Sequence, residues 1–143
     1  MPMTIEYIDA IARAKQRDVL YIIFTPSDFE QRDYFEPLES YNWVQDNRRK
    51  EICRWLDEHK IIWKPCGYFA SENSFGSYRG QIYLDVPYDE TNATYQMVRE
   101  YLEYPDGSMR SPTIGFCYLP LENAMKNAHH DVPGFWEKWA ETF

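Results

Sequence analysis

Glycine is scarce in this chain, with 6 in 143 residues. None stands in a G-x-G-x-x-G or P-loop pattern, which removes the backbone cradles that nucleotide phosphates need. A G-x-S-x-G nucleophile elbow is also missing. Cysteine is just as sparse: Cys53, Cys66 and Cys117 lie far apart, so no C-x-x-C metal or redox pair exists. An odd count without a framework fits a reducing compartment, and a cytoplasmic protein is expected. Basic residues number 15 against 23 acidic ones, giving a net charge of −8. That balance lacks the clustered Lys and Arg that displace counterions from nucleic acid, and it disfavours an anionic membrane surface. No apolar run approaches the roughly 20 residues of a spanning helix, and the opening MPMTIEYIDA lacks the pattern of a signal peptide.

Aromatic residues are what the chain has in surplus. Its 12 Tyr, 8 Phe and 5 Trp make up 17% of the sequence. Most of them suit an aromatic core, but Tyr and Trp in excess also suit an interface, where a rigid ring contributes area at little entropic cost.

Hydrophobic periodicity predicts strands over 19–24, 61–69, 81–86 and 113–119. A first helix capped by Thr4 runs to about Gln16, with Ile5, Ile8, Ile11 and Ala12 at helical spacing. A helix over 43–59 buries Val44, Ile52, Trp55, Leu56 and His59 and leaves Arg48, Arg49 and Lys50 in solvent. A further helix follows Asp89 or Thr91, a short one runs from Pro120 to Ala128, and a last one opens at Pro133. The core order is strand, helix, strand, strand, helix, strand. It predicts one α+β domain over 1–143 with a ferredoxin-like four-stranded antiparallel sheet and extra helices at both ends. Right-handed crossovers place the first strand beside the third, with the second and fourth at the edges. Pro65, which has no N–H to donate, agrees with an edge position for the second strand.

The run Val19–Phe24 is apolar on both alternating faces, so something beyond two crossing helices must cover the sheet. The terminal helices or a second subunit are the candidates, and the C-terminal stripe of Phe135, Trp136, Trp139 and Phe143 suits the role.

Three long connections, over 25–42, 70–80 and 103–112, emerge at one end of this arrangement, and long connections often carry function. Segment 27–42 holds five acids against Arg32 alone, interleaved with Phe29, Tyr34, Phe35 and Tyr41. With the hairpin loop it defines a candidate partner surface of Phe29, Tyr34, Phe35, Glu36, Phe75, Tyr78 and Arg79. Aromatic anchors would supply affinity there, and acids would steer a basic partner.

The chemical candidates are weaker. His129-His130-Asp131 holds metal-binding residue types, but adjacent residues rarely aim at one ion. A solvated connection between two helices is the plainer reading, and no metal or other cofactor is expected. The cysteines read as buried small residues rather than nucleophiles. The sequence therefore predicts a non-enzymatic protein-binding module, such as an inhibitor, immunity or regulatory protein. Its partner is a protein, basic in this reading, with a homodimer as a further option. One rival is a small-molecule binder or cofactor-independent enzyme using Trp63, Tyr83, His59 or Arg79. Another is an acidic mimic of nucleic acid.

Overall fold

A computed structural model describes residues 5–25, 42–72 and 78–142. The chain is α+β, with a four-stranded antiparallel sheet in the order β2-β3-β1-β4. Its strands are β1 (Val19–Phe24), β2 (Trp63–Pro65), β3 (Ile82–Leu84) and β4 (Ile114–Leu119). The first strand lies beside the third, and the second and fourth form the edges. Leu20 faces Leu84 on one side and Tyr118 on the other, while Ile22 faces Ile82 and Phe116. Pro65 sits on edge strand β2. That strand is shorter than predicted, and beyond it Gly67 bridges Tyr7 in parallel instead of continuing the ladder.

Two helices pack on one face of the sheet: α2 (Asn47–Glu58) and α3 (Ala93–Leu102). Leu20, Ile22, Phe24, Ile52, Leu56, Ile82, Leu84, Val98 and Leu102 belong to the buried cluster between them. Fully burying one such side chain contributes about 1.5–3 kcal/mol. The predicted helix over 43–59 is broken at its start. A 3-10 turn (Trp43–Gln45) precedes α2, and Asp46 caps α2 by accepting from the Arg49 N–H at 2.9 Å. That break leaves Val44 exposed, and His59 lies exposed just beyond the helix, so neither joins the buried stripe. Arg49 turns inward rather than into solvent, donating from Nε to the Gly80 carbonyl at 2.8 Å. Asn92, rather than Asp89 or Thr91, caps α3 by accepting from the Tyr95 N–H. Asp89 instead accepts from the backbone and hydroxyl of Thr91 in the preceding turn.

The second face is covered by α1 (Ile8–Lys15) and α4 (Leu121–Met125). Ile8, Ile11, Ala12, Val19, Cys66, Tyr83, Leu119 and Ala124 form its core. This explains why both sides of β1 are apolar: of the terminal helices expected to cover this face, the N-terminal one does so, whereas the C-terminal stripe does not. The last helix, α5 (Phe135–Ala140), has no buried residue. Thr4, the expected cap of α1, lies outside the described residues, and Tyr7 occupies the N-cap position. Asp18 ties α4 to the start of β1 by accepting from the Leu121 N–H at 2.7 Å. None of the helices described is long and apolar enough to cross a membrane.

Candidate functional site

Of the predicted partner residues, Phe29, Tyr34, Phe35, Glu36 and Phe75 lie outside the described residues. Tyr78 is half-buried: its hydroxyl donates to the Gln81 carbonyl at 2.9 Å and accepts from Arg49, and its ring meets Trp43 edge-on at 4.9 Å. The Arg49 guanidinium also lies 4.6 Å from the Trp43 ring centroid. Gly80 closes this cluster at φ +89°, where a Cβ would come within 2.6 Å of the Trp43 Cβ. Tyr78 thus braces the end of the β2–β3 connection. The neighbouring Arg79 donates its backbone N–H to the Gln81 side-chain oxygen.

Aromatic residues of the described chain reach the surface together at the opposite end of the sheet. Tyr88, from the connection between β3 and α3, stacks on Tyr118 of β4 with centroids 4.4 Å apart and planes at 4°. The row continues edge-on from Tyr88 to Tyr95, whose ring lies over Phe116 with centroids 6.4 Å apart and planes at 29°. Tyr118 is 49% exposed and Tyr88 37%. Burial, followed by the neighbouring Tyr88 phenol, raises the Tyr95 phenol pKa, and the Arg99 guanidinium, 5.6 Å from the Tyr95 ring centroid, opposes the rise. Among the described strands β4 pairs only with β1, so no described strand lies along its outer edge.

The residues of the small-molecule rival are scattered and internally committed. Trp63 donates to Asp57, Tyr83 donates to Asp85, and His59 Nδ1 contacts the Trp55 carbonyl. A cleft of about 390 Å³ does open between α2, α3 and the start of β4. Ile52, Leu102 and Ile114 give it an apolar floor, and Arg48 and Arg110 stand at its rim. Arg110 already donates from Nε to the carbonyls of Glu100 and Glu103.

The thiols are poorly placed for nucleophilic work. Burial pushes Cys66 up to about 12 and also raises Cys53 and Cys117. A high pKa withholds the thiolate that reaction requires.

The C-terminal histidines depart from the sequence reading in part: His129 is exposed, as a solvated connection between two helices requires, but His130 is not. Residues Ala128–Asp131 form a 3-10 turn in which His130 is only 5% exposed. Its Nε2 meets Glu72 Oε1 at 3.0 Å, and His129 Nε2 contacts the same oxygen. The tight turn swings the two adjacent rings to one side, T-shaped with centroids 4.4 Å apart. Hydrogen bonds from His129 and then His130 hold the Glu72 carboxyl below its usual range. Among the described residues these three side chains form the group able to hold a metal ion.

A buried network that sequence reading missed supports this corner. Asp9 is fully buried and accepts from the Ala70 N–H, from Arg13 and from Asn127 Nδ2. Arg13 forks onto Asp131 through Nε and a terminal nitrogen, both at 2.8 Å, and also donates to the Ala124 carbonyl. The Asp131 hydrogen bond is the main reason the Arg13 pKa rises, and Arg13 in turn holds Asp131 low. The only clue in the sequence is the i,i+4 spacing of Asp9 and Arg13 on a helix whose remaining inner residues are apolar.

Compared with protein-family models, curated proteins and solved structures, the chain finds no match. A functional reading therefore rests on its own geometry.

Proposed function

We propose that this chain is a non-enzymatic protein-binding module built on a ferredoxin-like core. The strand order, with α2 following β1 and α3 following β3, supports the fold assignment. The observation that carries the function is the exposed Tyr88–Tyr118 stack beside the outer edge of β4, along which no described strand pairs. An extended segment of a partner protein can add to that edge as a strand, with main-chain hydrogen bonds giving affinity and the tyrosines giving anchors. The net charge of −8 favours a basic segment. Phe29, Tyr34, Phe35, Glu36 and Phe75 keep their sequence-based place as a second contact region for the same kind of partner.

The runner-up is a small-molecule binder using the cleft between α2 and α3, whose volume and apolar floor suit a modest ligand. One experiment separates the two readings: affinity capture from the native host with the parent chain and a Tyr88→Ala/Tyr118→Ala double variant, alongside native mass spectrometry. A stoichiometric protein bound by the parent and lost by a folded double variant supports the binding module. A partner retained by the variant overturns the β4 face. A co-purifying small molecule with no protein partner transfers the function to the cleft.

A further inference from the structure

We propose that Glu72, His129 and His130 form a binding site for a divalent zinc-class cation, which clips the β2–β3 connection to the C-terminal turn. Imidazole nitrogen and carboxylate oxygen are the donors such ions take, and three protein donors leave a fourth tetrahedral position for water. Zinc bonds of about 2.1 Å put tetrahedral donors roughly 3.4 Å apart. His130 Nε2 and Glu72 Oε1 are 3.0 Å apart, and all three donor atoms lie within 4.8 Å of one another. The adjustment an ion requires is therefore a few tenths of an ångström for that pair.

The donors are held in place before any ion arrives. The Phe135 ring stacks on His130 at 4.8 Å and Trp136 tilts against it at 4.6 Å, fixing a ring that is almost wholly buried. The Trp139 indole N–H donates to the Glu72 carbonyl at 2.8 Å. On the other side, the Asp9 carboxylate anchors Ala70 through its N–H, and Asn127 Nδ2 donates to the Ala70 carbonyl. Both ends of the clip thus rest on buried hydrogen bonds. Placing the site outside the core sheet also explains why charged and ring-nitrogen groups are gathered where neither sheet face needs them.

The proton accounting sets the strength. A carboxylate oxygen only accepts, so in the metal-free chain each Nε2 carries the hydrogen directed at Glu72. Coordination needs the Nε2 lone pair, so a neutral ring must carry its hydrogen on Nδ1 instead. His130 Nδ1 is buried and has no hydrogen-bond partner. Lacking that outer support, the site binds about 10–100-fold more weakly than one whose histidines are backed by an acceptor.

The test is isothermal titration of the full-length chain with Zn²⁺, repeated with His129→Ala and Glu72→Gln. Both changes fall on exposed side chains, so the fold is preserved and circular dichroism verifies it. Cobalt absorption reports the coordination geometry. The site predicts one ion per chain, a tetrahedral cobalt spectrum, and an affinity loss of about tenfold or more in each variant. Zinc also raises the thermal midpoint of the parent more than that of either variant. No uptake by the parent, or isotherms that coincide for parent and variants, overturns the proposal; the second result assigns the ion to the thiols or the surface acids.

Discussion

The guanidinium of Arg13 joins α1, α4 and the C-terminal 3-10 turn through four hydrogen bonds to Asp9, Asp131 and Ala124. Replacing it by Ala leaves the Asp9 carboxylate buried without its cation, a change that costs about 3–5 kcal/mol. Asp131→Asn, at a side chain 54% exposed, costs about 1 kcal/mol or less by comparison. Chemical denaturation of the two variants measures the contrast. Equal losses would show that the buried carboxylate is not the sensitive member. Tyr21 makes a different prediction. Burial, and then the neighbouring Cys117 thiol, push its phenol from the ordinary 10 up to about 12. A raised folded-state pKa gives stability that is whole below the unfolded value and is lost as pH climbs through the folded one. The parent chain should therefore lose stability between about pH 10 and 12 more steeply than Tyr21→Phe. Parallel curves for the two would contradict the assignment. Such residues could not be identified in one dimension. Asp9 reads as an ordinary acid in the first turn of a helix until Ala70 and Asn127, distant in sequence, are folded against it.

The positions of the elements were legible in the sequence because each carries a strong local pattern. β1 and β4 match their predicted spans to within a residue, since dense runs of aliphatic and aromatic residues define them. The pattern fails where tertiary contacts override it. Pro65 and Gly67 cut the second strand to three residues, and Asp46 starts α2 later than the apolar spacing suggests. Of the terminal helices expected to cover the second face, the N-terminal α1 does so together with α4, whereas the conspicuous aromatic stripe of α5 does not. Phe135 and Trp136 pack on His130, and Trp136 also meets Tyr7. Ending the chain after Val132 should therefore leave the two-faced core folded, with the thermal midpoint lowered by loss of the ring contacts around His130. Ending it before Pro120 removes α4, exposes Leu119 and Ile11, and should abolish cooperative unfolding. Thermal melts followed by circular dichroism distinguish the two truncations. Aggregation of the Val132 truncation would return the covering role to α5.

At the scale of the whole molecule, the sheet separates two kinds of surface. The end carrying the β2–β3 connection holds buried polar networks, the braced Tyr78 and the histidine cluster. The other end presents the tyrosine stack and, on β4, a strand edge that pairs with no described strand. The sequence pointed toward the first end because its long connections are visible as polar, aromatic-rich runs. It could not indicate the second, because Tyr88 and Tyr118 are thirty positions apart and become a stack only when β4 lies beside α3. Net charge and aromatic surplus were readable from composition, and they favour a basic partner at either location. The most direct measurement is photo-crosslinking in the native host, with a photoreactive aromatic residue placed at position 118 and, as a control, at position 62. Ile62 is 69% exposed beside the opposite edge strand, β2. The account predicts a single protein crosslinked through a basic extended segment at 118 and not at 62. No crosslink at 118, or the same set of proteins at both positions, would contradict it.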